Sequence, residues 1–339
     1  MTVSEDFASR TGQFRGELLA HCYRMLGSAE EAEDLVQETY LRAWRSFAGF
    51  EGRSSVRTWL YRIATNVCLT AIERRGRRAL PSGLGAAADD PGAGLVAGPG
   101  VGWLQPLPDV GAGAGVDPAV VAVSRAGVRL AFVAALQFLS ARQRAVLILR
   151  DVLELPAAEV AGLLGMTTTA VNSGLRRARA QLAQALPADN ELAEPAEPDQ
   201  RAVLERFTEA FENADVSALA ELLREDVVLE MPPVLTWFAG RQAVTRFFAL
   251  RALDVPGRFR LVPVMANGQP ALAVYQREID GAHHADAITV PTVTAQGIAR
   301  IVTFRDPSLF RLFGLPPVLG AEAARPTPPQ EPAGTRWPR

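Results

Sequence analysis

The stretch from residue 79 to residue 118 constrains this chain more than any other. It is rich in Gly, Ala and Pro, holds no arginine, and carries only the charges of Asp89, Asp90, Asp109 and Asp117. Such a segment cannot bury enough apolar surface to offset its ordering entropy, so it reads as a flexible linker. On either side the composition reverses. Residues 13–78 and 120–186 are rich in arginine, with apolar residues at helical spacing. A chain of 339 residues interrupted in this way is expected to form two or three compact units rather than one core.

A second boundary follows at residues 186–195, a short acidic segment containing Pro187 and Pro195. The unit beyond it, residues 200–317, opens with helical patterns and turns to strands at about 226–231, 258–266, 270–279, 286–293 and 297–305. Helices followed by a curved antiparallel sheet make an α+β cone. Residues 319–339 are Pro-rich and read as a disordered tail. The expected fold class is therefore multidomain: two all-α helical units and a C-terminal α+β cone.

Net charge is −2, which excludes a bulk-basic nucleic-acid binder but leaves room for local basic patches. Lysine is absent, so all 35 basic residues are arginine and any phosphate or base contact comes from a planar, multi-donor guanidinium. Cys22 and Cys68 cannot supply a four-ligand zinc site, and His283 and His284 add no metal spacing, so neither metal nor cofactor is expected. No stretch approaches about 18 uninterrupted apolar residues and no leader pattern opens the chain, so no membrane contact and a cytoplasmic location are expected.

In the first helical unit, Ser28 with Glu31 three residues on has the spacing of a capping box, opening a helix that runs to about Ser46. Ala32, Leu35, Val36, Thr39, Ala43 and Trp44 form its apolar stripe. Asp34, Gln37, Glu38 and Leu41 fall on another face, which spacing alone would equally assign to an ordinary solvated surface. A second helix carries Trp59, Arg62, Ile63 and Asn66 and is preceded by Phe47, Phe50, Arg53, Ser54 and Ser55. Aromatics interleaved with arginines suit single-stranded DNA, because bases stack on rings while guanidinium groups follow phosphates. Trp59 and Ile63 read as core; Arg62 and Asn66, four apart, share the opposite face.

The second helical unit has helix-turn-helix spacing. Ser140 caps one helix, Pro156 opens a short one ending at Leu164, Gly165-Met166 makes the turn, and Thr167 caps a reader helix to about Ala185. Val171, Leu175, Ala178 and Leu182 are its buried stripe; Thr168, Asn172, Arg176 and Arg179 face outward with Arg177 beside them.

The strings Ala32-Glu33-Asp34-Leu35-Val36-Gln37-Glu38-Thr39-Tyr40-Leu41-Arg42-Ala43-Trp44 and Thr58-Trp59-Leu60-Tyr61-Arg62-Ile63-Ala64 resemble domain 2 of extracytoplasmic-function sigma factors. Residues 120–186 resemble domain 4 of the same family, and the order of the two modules around a linker strengthens both likenesses. The resemblance implies that core RNA polymerase and promoter DNA are the partners. Asp34, Gln37, Glu38 and Leu41 would meet the clamp helices of the polymerase. Phe50, Arg53, Ser54, Ser55, Arg62 and Asn66 would read the −10 element. Thr168, Asn172, Arg176, Arg177 and Arg179 would read the −35 element in the major groove. Gly174 departs from the larger residue usual there and weakens the reader helix by about 1 kcal/mol.

Trp237-Phe238-Ala239-Gly240-Arg241-Gln242-Ala243-Val244 and Phe304-Arg305-Asp306-Pro307-Ser308-Leu309-Phe310 resemble the SnoaL-like domain of the nuclear transport factor family, over residues 200–317. The resemblance implies a regulatory attachment, with Trp237, Tyr275, Arg277 and Asp286 as candidates for a small-molecule pocket; an anti-sigma partner is equally open. Trp237, Phe310, Phe313 and the stretch 312–316 offer apolar surface for docking on the helical units. Three functions are thus weighed: a sigma factor without catalytic residues, a helix-turn-helix repressor with a ligand-sensing cone, and a DNA-binding protein fused to an isomerase- or hydrolase-type enzyme. The polymerase-docking helix favours the first, since a repressor has no need of one.

Overall fold

The computed structural model describes residues 3–52, 54–109, 129–185 and 197–320. Residues 110–118 of the linker, the segment 186–195 and the tail beyond 320 lie outside the described residues.

The first helical unit begins earlier than its periodicity suggests. Helix α1 (Val3–Thr11) sets Phe7 edge-on against Trp44 at 5.3 Å and Phe47 at 5.2 Å. Helices α2 (Arg15–Leu26), α3 (Ala29–Ser46) and α4 (Val56–Arg75) complete the unit. Ser28 caps α3 by accepting the Glu31 N–H at 3.3 Å, while the Glu31 carboxylate pairs with Arg78 at 2.7 Å. The two-way capping box is made at Ser140 and Gln143. Trp44, expected in the α3 stripe, is 41% exposed, because it stands beside the buried line of Ala32, Val36, Thr39 and Ala43 and rests its ring on Phe7.

The second helical unit holds α5 (Leu130–Leu136), α6 (Ala141–Leu147, running on as a π-helical turn over Ile148–Val152), α7 (Ala157–Leu164) and α8 (Thr168–Ala185). Gly165, at φ 63°, makes the turn between α7 and α8. Gly174 lies on the buried side of α8, where an added Cβ would stand 4.0 Å from Val146, an ordinary contact.

The third unit contains α9 (Glu197–Glu212), α10 (Val216–Leu222), β1 (Leu223–Glu230), β2 (Trp237–Ala239), α11 (Arg241–Arg251), β3 (Phe259–Ala266), β4 (Gln269–Arg277), β5 (His283–Thr294), β6 (Gly297–Phe304), α12 (Leu309–Leu312) and β7 (Val318–Leu319). The sheet order is β2-β1-β6-β5-β4-β3, with β7 against β5. The sheet is mixed rather than purely antiparallel, because β1 and β6 run parallel. The chain reaches β6 only after four intervening strands, β2 to β5, and lies there beside β1 in the same direction.

Strand alternation gives this sheet two apolar faces. One face, with Val227, Leu229, Leu272, Val274, Ile298 and Ile301, packs under α9 to α11. The other, with Ala271, Ala273, Tyr275, Ile288, Val290, Val302 and Phe304, belongs to one continuous core with both helical units. Phe310, expected on an exposed margin, is 1% exposed within that core, and Phe313 and Leu315 pack against it.

Residues 79–109, a spacer by composition, lie along the cone on main-chain hydrogen bonds. Ala88 donates to Trp237 O at 2.8 Å, Leu235 donates to Val96 O at 2.8 Å, and Gly98 donates to Pro233 O at 3.1 Å. Asn267, at the Asn-Gly turn between β3 and β4, joins three parts of the chain. Its amide donates to Tyr23 Oη at 2.7 Å, and its Oδ1 accepts the Leu107 N–H at 3.1 Å. The packing here is tight: Gly27, at φ 71°, has Leu104 Cδ1 only 2.6 Å from where a Cβ would stand.

Candidate functional site

Helix α3 is buried on one side through Ala32, Val36, Thr39 and Ala43. On the other, Asp34, Gln37 and Leu41 are exposed, Leu41 by 52%. Glu38, half-buried, forms an i,i+4 pair with Arg42 at 2.7 Å. The four residues share one acidic face with an apolar centre.

At α4, Ser55 is the cap: its Oγ accepts the Thr58 N–H at 3.0 Å and donates to Thr58 Oγ1 at 2.9 Å. Ser54 is exposed, and Arg53 lies outside the described residues. Phe50 leans on Trp59 with ring centroids 4.9 Å apart, leaving both half-buried. Arg62 and Asn66 emerge together on the exposed side, since Tyr61, Ala64, Thr65 and Cys68 take the core side.

Along α8, Val171, Leu175 and Ala178 are buried, while Thr168, Asn172, Arg176, Arg177 and Arg179 are all exposed. Their chemistry differs. Arg179 is held by Asp151 in a two-pronged pair at 2.8 and 2.7 Å, which raises the guanidinium pKa. Arg176 and Arg177 have no carboxylate partner among the described residues, so their donors are available to bases and phosphates.

The candidate ligand residues are not brought together. Trp237 donates to Gly85 O at 3.0 Å, Tyr275 donates to Pro316 O at 3.1 Å, Arg277 is exposed, and Asp286 pairs with Arg305 at 3.2 Å. None of the four lines the cavity of about 270 Å³ between the helical units and the sheet. The helix-covered side of the cone is instead filled by Phe207, Phe211, Phe238, Phe247, Phe248 and Phe259. Among the described residues no three His, Cys, Asp or Glu gather as a metal site, and no helix is long and apolar enough to cross a membrane.

Sequence reasoning missed the contacts that join the two helical modules to each other. Arg144 of α6 is 1% exposed and donates to Met25 O of α2, and also to Gln137 Oε1 at 2.7 Å and Leu139 O at 3.2 Å. Burial lowers its pKa to about 10. Thr58, at the start of α4, donates to Glu159 of α7 at 2.7 Å. An arginine four residues into a capped helix carries no local mark that it will be buried; only the assembled fold decides it.

A helical module with an exposed acidic face, a helix-turn-helix module with free arginines on its reader, and an appended cone define a multi-module transcription protein of the sigma-70 class. Residues 12–78 match Sigma-70 region 2, residues 129–182 match Sigma-70 region 4, and residues 204–307 match the SnoaL-like domain. The ECF RNA polymerase sigma factor SigG of Mycobacterium tuberculosis is 50% identical over 313 residues, 92% of this chain and 84% of that protein. The probable ECF RNA polymerase sigma factor SigI of the same organism is 29% identical over 79% of this chain and 84% of that protein. Among solved structures, the extracytoplasmic-function sigma factor SigJ of Mycobacterium tuberculosis shares the fold, with a TM-score of 0.58 and 24% identity over 93% of this chain and all of that one. The chain belongs to the extracytoplasmic-function RNA polymerase sigma factors.

Proposed function

We propose that this sigma factor docks on core RNA polymerase through Asp34, Gln37, Glu38 and Leu41, and that its two helical modules read the promoter. In this reading Phe50, Arg53, Ser54, Ser55, Arg62 and Asn66 meet the −10 element. Thr168, Asn172, Arg176 and Arg177 meet the −35 element, with Arg179 joining once it leaves Asp151. The observation that carries the reading is the exposed face of α3: a helix buried along Ala32, Val36, Thr39 and Ala43 leaves Leu41 52% exposed among acidic and amide side chains on its other side. Apolar surface ringed by polar groups marks a protein-binding site.

The cone acts as a regulatory, non-catalytic part. Its helix-covered interior is occupied by phenylalanine rings rather than by a base and an opposed donor. Its other face shares a core with both DNA-reading modules and so sets their relative placement. The described segment 79–109 serves as its clasp, and the protein works in the cytoplasm. Run-off transcription with purified core polymerase tests the whole reading. Promoter-dependent transcripts are expected from core plus full-length protein; none on any promoter selected from genomic fragments, with the chain folded, would overturn it.

A further inference from the structure

The cavity of about 270 Å³ lies on the sheet face opposite the helices of the cone, where all three modules and residues 79–109 meet. Its apolar walls come from Leu104, Ala131 and Ala134 on one side and Val228 and Val302 on the other. The volume is just below the range of about 300–1,000 Å³ for drug-sized ligands, so it suits a smaller molecule.

Its charged lining is unusually one-sided. Arg77, Arg78, Arg224 and Arg300 all contribute, against a single lining carboxylate, Asp226. Three of the four guanidinium groups are matched: Arg78 by Glu31 at 2.7 Å, Arg224 by Asp226 at 2.8 Å, and Arg300 by the fully buried Glu230. Arg77 has no carboxylate partner among the described residues. It lies over the Phe138 ring, 5.4 Å from its centroid, and both residues are exposed, which puts them on the solvent side of the cavity. One uncompensated positive charge at the edge of an apolar space is complementary to one negative charge on an apolar body. A dianion would bring more negative charge than the site leaves unmatched.

We propose that this cavity binds a small amphipathic monocarboxylate, its apolar body between α5 and the sheet and its carboxylate on Arg77. Because the walls come from every module, the ligand binds the assembled arrangement and shifts the population toward it.

Calorimetric titration of the purified full-length chain with straight-chain carboxylates from hexanoate to dodecanoate tests the site without polymerase. Its failure is therefore distinct from a failure of the sigma reading. Saturable one-site binding is expected for at least one chain length. Arg77→Ala, a change at an exposed residue, should weaken it about tenfold, the loss of one charge-assisted contact. Ala131→Phe, which fills the cavity, should abolish it while the far-ultraviolet circular dichroism stays that of the parent. The matching alcohol should bind more weakly than the carboxylate. No binding across the series overturns the proposal, as does binding that Arg77→Ala leaves unchanged. Equal affinity for the alcohol removes the role of charge, and tighter binding of the matching alkyl phosphate dianion overturns the monoanion assignment. Should Ala131→Phe fail to fold, the Arg77→Ala result decides alone.

Discussion

His21 is fully buried in α2, with Nε2 at 2.9 Å from Thr65 Oγ1 and Nδ1 without a partner. Burial, with a smaller push from Arg24, lowers its pKa to about 3. In the unfolded chain an imidazole takes up its proton near 6.5. Below that value the unfolded state binds more protons than the folded one, so stability falls as pH falls from 6.5 toward 3. By pH 4.5 the loss should reach about 2–3 kcal/mol. Urea denaturation at pH 7 and pH 4.5 checks this, with His21→Gln as the reference whose pH slope should be flatter. A parent and variant with equal slopes would remove His21 as the source. The reader arginines divide at the same scale. Arg176→Ala should weaken binding to a −35 sequence by about 1–3 kcal/mol, the worth of a two-pronged base contact. Equal loss on every sequence, with a shallower salt dependence, would make it a phosphate contact instead. Arg179→Ala should cost less, because Asp151 already competes for that guanidinium.

On the scale of elements, the exposed face of α3 is the one to reverse. Asp34→Arg with Glu38→Arg alters an exposed and a half-buried position, so the fold should survive with a change of about 0.5 kcal/mol per site. Capture of core polymerase should fall steeply. Capture at the strength of the parent would show that another surface docks. Helices α3, α4, α6, α7 and α8 were readable because their signals are local, whereas α1, α2 and α5 were not placed. Ser28 and Ser140 each cap a helix where expected, and Val171, Leu175 and Ala178 fall on one side of α8 as their spacing requires; the cap at Ser55 was not read. The long strands were readable from alternation and runs of apolar residues. Three-residue β2 and the parallel pairing of β1 with β6 were not, since neither short length nor strand direction leaves a pattern in side chains. The same limit hid the course of residues 79–109. Many of the groups they offer or meet are main-chain ones, and a backbone hydrogen bond has no residue signature. It also hid the cavity, whose lining is assembled from positions as distant as Arg77 and Val302.

Across the whole molecule, the buried Arg144 joins the second helical unit to the first. Arg144→Ala leaves the Met25 and Leu139 carbonyls without this donor and should reduce stability by about 2–3 kcal/mol, as expected for hydrogen bonds from a charged group. The modules should then separate, which small-angle scattering would read as a larger radius of gyration; an unchanged radius would show that Arg144 does not hold them. Separation would also free Thr58 from Glu159 at the start of the helix proposed to read the −10 element. The clasp along the cone has a consequence for the order in which the protein is made. Ser82 waits for Glu230, 148 residues later, and Asp109 waits for Gly268, 159 residues later. Both DNA-reading modules are complete in the growing chain by Ala185. At about 5–20 residues per second, a ribosome leaves an interval of some seconds before the clasping strands emerge. During that interval a nascent copy holds its readers together only by the contacts between the two helical units, such as Arg144 to Met25 and Thr58 to Glu159, without the cone. Access to promoters should therefore follow the rate of synthesis as well as the amount of finished protein.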